Sequence, residues 1–134
     1  MSVIVTDTGF RNDDWVGPAP ALADWQGEAA VELAPADNPA ALQGRLATLA
    51  MIHVAFPAFS DGRGFTIARR LRDMGYTGRL RAKGHVLADQ YAMARRSGFD
   101  EVAISDELAR RQPEAQWLAR ANWREYDHRS RLAG

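Results

Sequence analysis

Apolar residues recur along this chain in two alternating rhythms. Ala30-Val31-Glu32-Leu33 and Met51-Ile52-His53-Val54-Ala55-Phe56 are short, dense runs, the second reading as a strand covered on both faces. Gly78-Arg79-Leu80-Arg81-Ala82 gives a weaker strand signal, and Phe99 to Ile104 a fourth. Between these runs the apolar spacing opens to three and four. Leu42, Leu46 and Leu49 fall on one helical face, behind Asn38 as N-cap and Pro39 at the first helical position. Ile67, Leu71 and Met74 repeat that spacing, with Gly75 as a left-handed cap. Leu87, Tyr91 and Ala94 make a third helical face, closed by Ser97-Gly98. Ser105 caps a short helix that Pro113 interrupts, and a last helix runs through Trp117, Leu118 and Ala121.

The order of these elements is β-α-β-α-β-α-β-α, the pattern of an α/β fold with a small parallel sheet built from repeated βα units. A three-layer sandwich and a half-barrel both fit it. Residues 1–134 read as a single α/β domain. Residues 1–28 look like an irregular leader, with Val3-Ile4-Val5 as a short strand candidate and Trp15 and Trp25 pinning the leader to the core. Residues 127–134 read as a frayed polar tail.

Composition narrows the chemistry. The chain has no cysteine, which excludes disulfides, zinc–thiolate and iron–sulfur ligation, and thiol catalysis by its own residues. No apolar run is long enough to cross a bilayer, and the N-terminus lacks a secretion signal, so the expected place is the cytoplasm, away from membranes. Basic and acidic residues balance at a net charge of zero, yet the charge is unevenly spread. Residues 1–60 carry seven acids and two arginines, whereas residues 61–134 carry fifteen bases and ten acids. That asymmetry steers anions or draws the two halves together. It lacks the overall basic excess of a nucleic-acid binder.

Ligands of parallel α/β folds bind where strands end and helices begin, which singles out loops 57–64, 82–85 and 104–106. The first is the richest. Ser60, Asp61, Gly62, Arg63 and Gly64 set a hydroxyl, a carboxylate, a guanidinium and two glycines at a helix start, where free N–H groups attract anions. The same Asp61 and Arg63 also make an ordinary cap and ion pair. Arg79 and Arg81, two apart on a strand, point the same way, and Arg81 is a candidate for completing the anion pocket. His85 and Asp89 stand four apart, so an imidazole oriented by a carboxylate is a candidate general base, with Asp61 as a third candidate catalytic group. His53 reads as a core residue. The loop has neither a Walker ending nor a dinucleotide fingerprint, and no spacing resembles a metal site. No cofactor is expected.

Phe56-Pro57-Ala58-Phe59-Ser60-Asp61-Gly62-Arg63-Gly64, Leu71-Arg72, Leu80-Arg81-Ala82 with Gly84, Asp89-Gln90 and Gly98-Phe99-Asp100 occur in order. With them the chain resembles the bacterial family called domain of unknown function 934. That family pattern often carries Asp where this chain has His85. The resemblance implies a place beside assimilatory sulfite reductase and the sulfonucleotide reductase, and some members bear an oxidoreductase label. The resulting expectation is an accessory protein of sulfite reduction, with sulfite reductase or another sulfur-assimilation protein as partner and a small oxyanion as ligand. A small enzyme acting on an anionic substrate and a structural or scaffolding domain are the alternatives. Four short βα units and four tryptophans further suggest a homo-oligomer.

Overall fold

The computed structural model describes residues 2–124, so the expected tail at 127–134 lies outside the described residues. Four strands form where the apolar runs predict them: β3 (Ala30–Leu33), β4 (Met51–Phe56), β5 (Arg79–Gly84) and β6 (Glu101–Ser105). They pair in parallel, β3 with β4, β4 with β5 and β5 with β6. The leader is not irregular throughout. Ser2–Thr6 (β1) and Gly9–Asn12 (β2) make a hairpin that adds to β6, giving one sheet in the order β2-β1-β6-β5-β4-β3. Both added pairings are antiparallel, so the sheet is mixed rather than wholly parallel. The correction has a simple cause. Val3, Ile4 and Val5 are an apolar run, and pairing with β6 lets Ile4 and Val5 become buried.

The helix expected over Leu42, Leu46 and Leu49 is replaced by two short 3-10 turns, Pro39–Leu42 and Leu46–Thr48. Gly44 between them has φ +82°, a left-handed conformation that ends any right-handed helix. The apolar spacing still serves, because Leu42 and Leu49 are buried. Asn38 caps as expected, its Oδ1 accepting the Ala40 N–H at 3.0 Å. The remaining helices are α1 (Arg63–Asp73), α2 (Tyr91–Ser97), α3 (Asp106–Arg111) and α4 (Glu114–Leu118). After α1, Gly75 at φ +100° lets the Tyr76 N–H reach Leu71 O at 3.0 Å and its own N–H reach Arg72 O at 3.0 Å. These bonds satisfy carbonyls that the helix end leaves open.

One apolar cluster joins Val31, Ile52, Val54, Leu80, Val102 and Ile104 of the sheet to buried residues of all four helices. Phe56 lies at its centre, with the Phe65 and Phe99 rings 5.0 and 5.8 Å away. Among the described residues no helix is long and apolar enough to cross a membrane.

The other face of the sheet carries a charged row, with Met51, Ala55 and Ala103 beside it. The register aligns Glu32 with His53, His53 with Arg81, and Arg81 with Glu101, so these four share a face with Arg79 and Lys83. Glu101 Oε2 accepts from Arg81 Nε at 2.6 Å, and Glu101 Oε1 from Arg79 Nη2 at 2.9 Å. Arg81 is 1 % exposed. At the β3 edge, the His53 ring, 3.9 Å from Glu32, and the Lys83 ammonium at 2.8 Å hold the Glu32 carboxyl down at about 2 against the effect of burial.

This face makes stability pH-dependent with a definite sign. Asp14, paired with Arg79, and Asp13, held by the Trp15 N–H and Arg81, also ionise more readily than usual, Asp13 despite its partial burial. Such groups bind protons more weakly folded than unfolded, so acid favours unfolding. The thermal midpoint is expected to hold steady down to about pH 5 and then fall as protonation begins. Glu32→Gln should flatten the part of that fall between 4.5, the ordinary Glu32 value, and about 2. Calorimetry from neutral pH downward checks both.

Candidate functional site

The three loops singled out by the strand-end rule meet at one place. A cavity of about 240 Å³ opens at the carboxyl ends of β5 and β6. Phe59 comes from the β4–α1 loop, Gly84 and His85 from the end of β5, and Ser105, Glu107, Leu108 and Arg111 from the end of β6 and α3. The walls are mainly apolar. His85, Ser105 and Arg111 bring the polar hydrogen-bonding groups, with the Glu107 carboxylate beside them.

Local chemistry explains the shape of this site. Gly84 has φ +117°, and a Cβ there would meet the Phe56 carbonyl oxygen at 2.6 Å, so only glycine lets β5 turn this tightly against β4. The next residue, His85, donates its backbone N–H to the same oxygen at 2.8 Å. Its ring Nδ1 lies 3.2 Å from that carbonyl, which can only accept, so Nδ1 carries a proton and Nε2 is left available. Phe59 meets the His85 ring edge to face at 4.9 Å. Gln90 fixes the relation between the two loops. Its Oε1 accepts the Leu87 N–H at 2.9 Å, and its Nε2 donates to Phe59 O at 3.1 Å. Ser105 is the cap of α3, its Oγ accepting the Leu108 N–H at 3.1 Å, which leaves its own hydrogen free to donate. Glu107 and Arg111 pair at 2.6 Å on the exposed rim.

The other candidate residues are placed differently from one another. In the 60–64 loop, Asp61 accepts the Arg63 backbone N–H at 3.2 Å and both Nε and Nη2 of its side chain, at 3.0 and 2.7 Å. The Arg63 guanidinium so close to Asp61 keeps that carboxyl below its usual range. The ion pair forms as expected, but the N-cap of α1 is Gly62 and Asp61 stands one residue before it, its negative charge close to the helix start. Ser60 and Gly62 are exposed beside it. Gly64 is buried where a Cβ would meet the Phe56 ring at 2.5 Å, so it serves close packing of α1 on β4. Arg81 does not reach the loop. It lies on the charged sheet face, bound by Glu101 and by Asp13 at 3.0 Å. Asp89 does not orient His85, because its carboxylate binds Arg120 at 2.5 Å.

Sequence reasoning missed Arg111, Glu107 and Leu108. The rule about strand ends located their loop, but their approach to His85 depends on how α3 folds back. Several recurrent motif pieces turn out to be architectural. Arg72 donates to Gly98 O, Tyr76 O and Gly78 O, each at 2.9 Å, and to Asp100 Oδ2 at 3.0 Å. Asp100 Oδ2 also accepts the Leu80 N–H at 2.9 Å, so this pair locks the start of β5 to α1 and β6.

Among the described residues no group of three or more His, Asp or Glu is placed to hold a metal ion. No curated protein and no solved structure matches the chain. Residues 30–130, which include β3 to β6 and every loop around the cavity, match the bacterial proteins of unknown function designated DUF934, and the chain belongs to that family.

Proposed function

We propose that this chain is an accessory protein of assimilatory sulfite reduction that holds a small oxyanion of the sulfite class in the cavity at the ends of β5 and β6. The sulfur-assimilation setting rests on the family resemblance. The observation supporting the ligand position is the meeting of two donors, the Ser105 hydroxyl and the Arg111 guanidinium, at one cavity beside His85, whose Nε2 donates to an anion only when the ring is protonated. Arg111 must leave Glu107 to bind an anion, but an exposed helical pair of this kind is worth only about 0.3–0.5 kcal/mol. An oxyanion offers the guanidinium two oxygens in a matching plane. Phe59 and Leu108 keep part of the solvent away. The 60–64 loop takes no part in this reading, since the β4–α1 connection lines the cavity through Phe59 and the Arg63 guanidinium is engaged by Asp61. Electron transfer falls to the reductase partner, because the chain has no cysteine with which to hold an iron–sulfur cluster.

A second reading, a small enzyme acting on an anionic substrate, is favoured by one detail. The Nδ1 contact to Phe56 O leaves His85 Nε2 able to take a proton.

Titration with sulfite, followed by amide chemical shifts, tests the site. Shifts should centre on Gly84, His85, Ser105 and Leu108, with a dissociation constant on the order of millimolar. Arg111→Ala should abolish them while leaving the fold intact. Shifts that survive in Arg111→Ala, or that never appear, remove the site. Copurification with sulfite reductase from the native host tests the accessory role. Turnover by the purified chain that His85→Gln abolishes would instead establish the second reading.

A further inference from the structure

The charged face of the sheet carries a cover that is held in an unusual way. Residues 13–18 run across it after β2 ends. Among the described residues, the backbone of 13–19 makes no hydrogen bond to any other backbone group. Val16 is 91 % exposed, and Asp13, Asp14, Gly17 and Pro18 are exposed beside it. The anchors are side chains. Asp13 Oδ1 binds Arg81 Nη1 at 3.0 Å, Asp14 Oδ1 binds Arg79 Nη2 at 2.9 Å, and Trp15 is partly buried between them and the rest.

This cover fits its seat incompletely. Arg81 and His53 are 1 % and 6 % exposed, yet among the described residues Arg81 Nη2 and both ring nitrogens of His53 have no hydrogen-bond partner, and neither does the buried Trp15 indole N–H. Arg81 Nη2 lies 3.6 Å from Asp14 Oδ1 and the His53 ring 3.9 Å from Glu32, near enough for charge attraction but too far for a hydrogen bond. The Arg81 and Trp15 N–H groups, with the one donor nitrogen of a neutral His53 ring, mark a surface able to take more acceptors than it now receives. The charge count agrees. Among the described residues, with the strap in place, four carboxylates (Asp13, Asp14, Glu32 and Glu101) face Arg79, Arg81 and Lys83. With it lifted, three cations face two carboxylates, and the surface becomes attractive to anions.

We propose that residues 13–18 are a releasable strap, and that the face beneath, built on Arg79, Arg81 and His53, docks an extended acidic segment of a partner protein. The strap itself specifies the partner's chemistry: adjacent carboxylates spaced to reach two guanidinia, followed by an aromatic side chain. A segment supplying further acceptors satisfies donors that the strap leaves open, and that difference drives exchange. The surface is distinct from the anion cavity, so either assignment can fail without the other.

The probe is a labelled peptide with the sequence of residues 10–20, offered to the full chain. Asp13→Asn/Asp14→Asn frees the strap and should bind the peptide at least about tenfold more tightly than the wild type does. Adding Arg79→Gln should remove the gain. In the wild type, which needs no altered fold, saturating peptide should move the Val16 and Gly17 amide signals to random-coil positions while Ile52 and Val54 stay fixed. The proposal is overturned if Val16 and Gly17 do not move. It is equally overturned if the folded double variant binds no better, or if a peptide with both aspartates changed to asparagine binds as well. Stronger binding of inorganic phosphate or of an RNA oligonucleotide would reassign the face to another ligand. Dimerisation by mutual exchange of straps, seen in light scattering, would reassign it to a second copy of this chain.

Discussion

Glu101→Ala is expected to destabilise the fold by about 3–5 kcal/mol, the range for removing one partner of a buried charge pair. Glu101 is 7 % exposed and serves two guanidinia, accepting from Arg81 Nε at 2.6 Å and from Arg79 Nη2 at 2.9 Å. Without it, Arg81 stays enclosed on the sheet face with Asp13 as its chief partner. The cost is mainly that of an uncompensated buried cation. Replacing both partners, Glu101→Leu with Arg81→Met, should therefore recover most of the loss, because an apolar pair of similar volume carries no desolvation penalty. Urea unfolding of Glu101→Leu, of Arg81→Met and of the double variant forms a cycle that reads the coupling directly. If Glu101→Ala cost under about 1 kcal/mol, the pair would be behaving as a surface ion pair.

Trp117→Ala should cost a similar amount, about 3–5 kcal/mol, by a different mechanism. Trp117 is 1 % exposed, its indole N–H donates to Gln112 O at 2.9 Å, and its ring meets the Tyr91 ring edge to face at 6.1 Å. It is the only buried residue of α4, a helix too short to persist without packing. Alanine would leave a cavity and free α4 from the core. The loss should spread to Gln112, whose Oε1 accepts the Ala88 N–H at 2.7 Å beside the cavity loops. Hydrogen exchange at Ala88 should accelerate with the global fall in stability, whereas Leu118→Ala, at a residue 41 % exposed, should change little.

Much of this protein is legible in its sequence. The four parallel strands, the placing of α1 and its Gly75 cap, the Asn38 cap and the loops that border the cavity all follow from local features. Each depends on residues close together in the chain, where spacing and backbone preference act directly. The same reading failed at Gly44 because a regular leucine spacing outweighed one residue whose backbone goes left-handed. It gave Val3-Ile4-Val5 as a short strand but missed β2, whose four residues carry little apolar signal, and the antiparallel pairing of β1 with β6, because pairing over about a hundred residues of sequence leaves no local trace.

Arg81 shows the boundary most clearly. Its position two residues from Arg79 established that both share a face, and the register confirms this. Which face, and against which partners, was decided by the return of Asp13 and Asp14 from the other end of the sheet and by Glu101 on the neighbouring strand. The cavity follows the same division. Sequence alone determined that loops 57–64, 82–85 and 104–106 stand at strand ends, since alternation of strands and helices requires it. Only the tertiary structure decided that His85 and Arg111 line one cavity while Asp89 turns to Arg120, because long-range side-chain neighbours depend on packing geometry and not on spacing along the chain.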